Sequence, residues 1–129
     1  MQYKNDLSMH RLEKAKECLV GAKMLFENNQ YFGAANRSYY SVFHSMRSVL
    51  ALNGVDFKKH SAVIAYFRSN YIKAQKIETR LSDIIEDVFE LRTQSDYNDF
   101  FIVSKEEVKK QIENAEYFVT QVEAFLEKQ

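Results

Sequence analysis

Arg37 and His44 are the two residues of this sequence best suited to work on a phosphodiester. They stand seven positions apart in a run that reads as helix, and at about 100° per residue that spacing brings His44 back to within roughly 20° of Arg37. Ser41 and Ser48 fall on the same line, so the expected feature is a polar stripe, Arg37-Ser41-His44-Ser48, on a helix whose other sides are aromatic and aliphatic. Arginine offers a permanently charged fork of donors that fits phosphate, and histidine carries a proton that moves near neutral pH. Together they would bind a phosphodiester and take the proton from the neighbouring 2′-hydroxyl, a cleavage of RNA that requires no metal. The alternative is a plain solvated face, although such faces usually carry Lys or Glu and this one carries neither.

Lys58-Lys59-His60 precedes a short predicted helix, where backbone N–H groups and the helix dipole already favour an anion. These three would hold an RNA phosphate, or else form an ordinary basic loop. Tyr97 would stack on a base if its loop lies over the Arg37-His44 stripe, and would otherwise serve packing. Arg92 and Asp96, four apart, suit a local surface ion pair. His10 is expected to be exposed. Three scattered histidines without a neighbouring acidic cluster predict no metal site, and no cofactor is implied. The single cysteine, Cys18, sits among Leu19 and Ala22 as a buried small hydrophobe; it permits no intrachain disulfide and points to a reducing compartment.

The elements that must position these residues are helices. With 18 aromatics, three Gly and no Pro in 129 residues, little interrupts the chain, and an all-β fold is disfavoured. Leu12, Ala15, Leu19, Ala22 and Phe26 recur at three and four, predicting a first helix from Leu7 to Phe26 that Glu27-Asn28-Asn29-Gln30 ends. A second begins near Tyr31, buries Phe32, Ala35, Tyr39, Val42, Met46 and Val49 on one face that Tyr40, Phe43 and Leu50 widen, and stops at Asn53-Gly54. Asp56 to Lys59 reads as a loop, and Ser61 as the N-cap of a short third helix. A fourth helix carries Ile77, Leu81, Ile84, Val88 and Leu91; a fifth, opened by a capping box of Ser104 and Glu107, buries Val108, Ile112, Ala115, Val119, Val122 and Leu126. Short connections favour an all-α, up-and-down bundle of four long helices plus one short helix, folded as a single domain over 1–129.

Net charge is zero, which argues against a protein that coats nucleic acid by bulk electrostatics. The distribution is uneven: residues 37–80 carry eight Lys/Arg and two Asp/Glu, whereas residues 82–129 carry five and twelve. That split means either an anion-binding surface beside an acidic one or two bundle faces attracting each other. No N-terminal apolar stretch of signal-peptide length occurs, and nothing approaches the ~18 apolar residues of a membrane span. A soluble, cytoplasmic protein is expected, without membrane contact. The aromatic second helix also predicts a homodimer, since it calls for more cover than one small bundle supplies.

The segments Ala34-Ala35-Asn36-Arg37-Ser38-Tyr39-Tyr40-Ser41-Val42-Phe43-His44, Lys59-His60-Ser61-Ala62-Val63-Ile64 and Leu91-Arg92-Thr93-Gln94-Ser95-Asp96-Tyr97 resemble the HEPN domains of bacteria and archaea, over nearly the whole chain. That family's signature is an Arg, four to six residues, then a His on the second long helix; Arg37 and His44 enclose six. The resemblance implies a helical bundle, a dimer as active unit, and Arg37 and His44 as an RNase site near the dimer cleft. Many relatives partner a nucleotidyltransferase. In the toxin-like branch silenced by adenylylation, a Tyr follows the His at the second position; here Met46 stands there, so the resemblance does not extend to that control. Three functions stay open: a metal-independent endoribonuclease or RNA-binding relative, a non-catalytic nucleotide-binding or nucleotidyltransferase-partner module, and a structural oligomerisation adaptor.

Overall fold

A computed structural model describes the backbone of residues 2–129 and the side chains of residues 5–129; Met1, where the reading of the N-terminus begins, lies outside them. The chain forms α1 (Gln2–Glu27), α2 (Tyr31–Ala51), α3 (His60–Phe67), α4 (Arg80–Tyr97) and α5 (Lys105–Glu127). This is the expected up-and-down bundle of four long helices with one short one, and no strand occurs among the described residues. No helix among them is long and apolar enough to cross a membrane.

Several helix ends follow the local chemistry. Asn29 takes the left-handed conformation after α1 (φ 63°), and Gly54 does so after α2 (φ 67°). Ser104 Oγ accepts from the Glu107 N–H at 3.1 Å, and its hydroxyl donates to Glu107 Oε1 at 3.0 Å. The predicted capping box thus forms in a variant in which the carboxylate takes the hydroxyl. Ser61, in contrast, caps nothing: α3 begins at His60 with Lys59 as its flanking residue and no side-chain cap. α3 continues into one π turn, Arg68–Ile72, whose closing bond runs from Lys73 N–H to Arg68 O at 2.8 Å.

α2 is the central helix. It packs on α1, α3, α4 and α5, and buries Tyr39, Val42, Phe43, Met46, Val49 and Leu50. Tyr39 is 1% exposed and Phe43 5%, so these two aromatics do not await a second subunit; His60 of α3 lies against both, and Phe89 of α4 against Tyr39. Phe32, assigned from its spacing to the core, is instead 53% exposed. Cys18 is likewise only partly covered rather than buried.

The seam between α1 and α2 positions the candidate site. Ser8 donates to Ser48 O at 2.7 Å, Arg11 donates to Arg47 O at 3.2 Å, and a methyl placed on Gly33 would lie 3.0 Å from Leu25 Cδ1, so the helices run antiparallel at close range. Small residues allow that approach. Ser38, Ser41, Ser45 and Ser48 are all buried, and each hydroxyl donates to a carbonyl of its own helix at 2.6–2.9 Å. α5 also runs opposite to α1, as Lys16 pairs with Glu123 at 2.5 Å and Lys23 with Glu116. Arg68 meets Glu86 at 3.0 Å, a link between the basic and the acidic stretch within one chain.

Candidate functional site

Phe43, on α2, is the centre of the candidate site. Its ring centroid lies 4.0 Å from that of His60 and 5.7 Å from that of His44, and the Arg47 guanidinium sits 5.9 Å from it. His44 and Arg47 are three apart on α2 and therefore share a side of it. His60 arrives from the first turn of α3, where Tyr39 Oη and His60 Nδ1 are 2.7 Å apart. Arg92 of α4 closes the far side, 4.8 Å from the Tyr39 ring and 5.5 Å from the Tyr40 ring. Asp96 Oδ2 is 3.3 Å from Arg92 Nε, the local ion pair expected from the spacing.

Asp56 organises the cations. Its carboxylate accepts from Arg47 at 2.9 and 3.3 Å, from Arg11 at 3.1 Å and from the Phe57 N–H at 2.9 Å. Burial alone would raise its titration; the bonds from Arg47 and Phe57 and the charges of Arg47 and Arg11 hold the carboxyl below its ordinary range. Phe43, Arg47, Asp56, Phe57, Lys58 and His60 together line an open cleft of about 420 Å³ between α2 and the loop entering α3.

Both imidazoles are held uncharged at neutral pH. Burial pushes His44 down to about 4, with Arg47, Lys14 and Arg11 adding to the effect. Burial also lowers His60, helped by Arg92 and Arg47. Tyr39, conversely, is pushed up to about 12 by its burial and keeps its proton. The cleft offers the neutral imidazole of His60, a clamped guanidinium and an ammonium, with the second imidazole, His44, against its Phe43 wall, a set able to bind a phosphate and to exchange protons beside it.

The sequence profile of the HEPN domain matches residues 8–125. The chain belongs to the HEPN domain family. A UPF0332 protein of Thermotoga maritima is 33% identical over 98% of this chain and 96% of its own length. Two Methanocaldococcus jannaschii proteins are also similar: "Putative toxin MJ0142", 27% identical over 98% of this chain and 85% of its own, and "Putative toxin MJ0605", 36% identical over 89% and 85%.

Within this HEPN domain the residues singled out from the sequence separate. Lys58 and His60 line the cleft, with Lys59 between them at the start of α3, and His44 adjoins it. Arg37 is exposed, makes no hydrogen bond or ion pair among the described residues, and lays its stem against α1 at Gly21. It stands two turns, roughly 10 Å of axis, from His44. Ser41 does not belong to an open stripe: it is fully buried, and its hydroxyl is spent on Ser38 O at 2.7 Å, so it has no free face for a phosphate. Ser48, at the far end of the stripe, is buried as well, where Ser8 of α1 donates to its carbonyl. Tyr97 is 82% exposed and lines a second cleft of about 450 Å³ with Phe89, Thr93 and Glu86. His10 is exposed, as expected.

Arg47, Asp56, Tyr39 and the inward role of Arg92 were missed. Arg47 had a signal, its i+3 spacing from His44. Asp56 and Tyr39 had none, because their partners lie on other elements.

Proposed function

We propose that this HEPN domain acts on RNA, and does so as a metal-independent endoribonuclease. The observation that supports this best is the gathering of His44 and His60 around Phe43, beside Arg47 and Lys58 at an open cleft. In this reading Arg47, Lys58 and Lys59 hold the reacting phosphate, and His44 takes the proton of the 2′-hydroxyl as that oxygen attacks phosphorus. The P–O5′ bond breaks as the leaving 5′-oxygen takes a proton from water and the His44 imidazolium returns its own to the solvent, leaving a 2′,3′-cyclic phosphate and a 5′-hydroxyl. Arg37, about two turns away, takes the phosphate of a neighbouring nucleotide. Tyr97 would reach a base only farther along the strand.

The test is incubation of the pure protein with single-stranded RNA in EDTA, with analysis of the ends. Cyclic phosphate ends are expected, and the rate should fall by ~10²-fold or more in His44→Ala. Cleavage unchanged in an Arg37→Ala, His44→Ala double variant rejects this assignment.

A second reading, a non-catalytic RNA- or nucleotide-binding module, draws on one observation: His44 Nδ1 is buried without a partner and its ring titrates near 4, which makes it a weak base. Binding without cleavage by the wild type would select it. The homodimer, a nucleotidyltransferase partner and a cytoplasmic location remain parts of the proposal, supported by the family membership and the toxin names of relatives. Adenylylation at the position two beyond His44 is excluded from it, since Met46 is 1% exposed and has no hydroxyl.

A further inference from the structure

We propose that Tyr39 is a positioning residue that holds His60 as its Nε2–H tautomer, so that the imidazole edge facing the cleft donates a hydrogen bond to a phosphate oxygen. The ligand named here rests on the RNA reading above; the role of Tyr39 does not.

Two arrangements satisfy the 2.7 Å contact between Tyr39 Oη and His60 Nδ1. Either the phenol donates to an unprotonated Nδ1, or Nδ1–H donates to the phenol oxygen. Tyr39 is 1% exposed, and no hydrogen bond from its hydroxyl to another acceptor is present among the described residues. Its polar neighbour Arg92 has only donors and cannot take the proton. In the second arrangement the phenol proton would be buried with nowhere to go, a state folded proteins avoid. The first arrangement satisfies both groups and leaves the other lone pair of the oxygen toward the guanidinium.

The charged and titratable groups around His60 are Tyr39, Tyr40, His44 and Arg47 of α2, Arg92 of α4, and Asp56 and Lys58 of the loop that lines the same cleft. Asp56, the one anion among them, is tied to Arg47 and Arg11, and burial together with Arg92 and Arg47 lowers the titration of the ring. The ring is therefore neutral at pH 7, and with Nδ1 accepting, its one proton sits on Nε2. Nε2 has no partner among the described residues and is not sealed from solvent, and the ring borders the cleft. Arg47 and Lys58 line that cleft, while the oxygens of Asp56 are taken by Arg47, Arg11 and the Phe57 N–H. A donor flanked by two cations selects an anionic acceptor, and a phosphate oxygen fits.

The test uses the full chain labelled with ¹⁵N and long-range proton–nitrogen spectra of the histidine rings near pH 7.5. Wild type should show His60 protonated on Nε2 alone, and Tyr39→Phe should shift it toward the Nδ1–H form. A wild-type ring protonated on Nδ1, or a pattern unchanged in Tyr39→Phe, overturns the proposal. Titration with inorganic phosphate should then move the His60 Nε2 resonance, and Tyr39→Phe should weaken phosphate binding about fivefold to tenfold, the loss expected of one hydrogen bond. Tyr39→Phe should add nothing further in a His60→Ala background. Phosphate that leaves the Nε2 resonance in place removes the assigned ligand. The expected tautomer in a protein that leaves RNA intact supports the role of Tyr39 and rejects the endonuclease reading, so the two fail separately.

Discussion

His44 is both a candidate base and a liability for the fold. In the folded chain it titrates near 4, against an ordinary value of 6.5. As pH falls, the unfolded chain takes up this proton first, so stability that is full above pH 6.5 is lost progressively down to pH 4. The loss from His44 is up to about 3 kcal/mol, and the lowered His60 adds to it with the same sign. Asp56 is held below its ordinary 3.8, so its contribution disappears only below that window. Melting temperatures measured from pH 8 to pH 4 should therefore fall across pH 6.5 to 4 in wild type and fall less steeply in His44→Gln. An identical slope in the two proteins would show that His44 is not the group being protonated. At the same scale, Asp56→Asn should release Arg47 and weaken the bond to the largely buried Arg11, at a cost of about 1–3 kcal/mol by denaturant titration.

At the scale of the helix, α2 carries the core on most of its circumference and the site on the remainder. Val42 is fully buried, so Val42→Asp should unfold the protein by placing an unpaired charge inside. His44→Ala removes a partly exposed ring at the edge and should leave a cooperative melt at pH 7.5. Equal damage from both would make His44 a core residue and sink its catalytic assignment. The periodicity that identified α2 also placed Arg37, Ser41, His44 and Ser48 on one line, and geometrically that holds. What it could not supply was burial: Ser41 and Ser48 are sealed, while Arg37 stays exposed even with its stem against Gly21 of α1. On α5, Ser104→Ala should cost about 1 kcal/mol through loss of the bond from the Glu107 N–H, read as a lower denaturation midpoint with an unchanged slope.

At the scale of the whole molecule, the four long helices enclose one connected apolar core running from Leu12 on α1 to Val122 on α5. The homodimer draws no support from Tyr39 and Phe43, which are covered within the chain, whereas Phe32 of α2 stays exposed. The dimer remains an expectation of the family, and sedimentation at micromolar concentration should give twice the mass of the 129-residue chain. A monomer at that concentration removes it. The charge split resolves partly inside the chain, through Arg68 and Glu86, while acids of α5 pair with Lys16 and Lys23 of α1. Arg37 is left without an anionic partner among the described residues, and Lys58 opens onto the cleft. Binding of RNA at these cations should weaken steeply as salt is raised, and Lys59→Ala should reduce affinity more than turnover.

Apolar spacing by itself determined five helices, their order and most of the core, because a repeat of three and four leaves an amphipathic chain one way to hide its stripe. Local chemistry determined the turns at Asn29 and Gly54 and the cap at Ser104, since each depends on residues within four positions. The site needed the tertiary structure. Phe43 read as an ordinary core residue and Arg92 as a surface ion-pair partner until α2, α3 and α4 were packed together. The contacts of Tyr39 with His60 and Arg47 with Asp56 span 21 and 9 residues, and no periodicity encodes them. Burial then decided the chemistry: it silenced Ser41 and lowered both imidazoles, because the cost of a charge or an unmet donor depends on what surrounds it and not on its place in the chain.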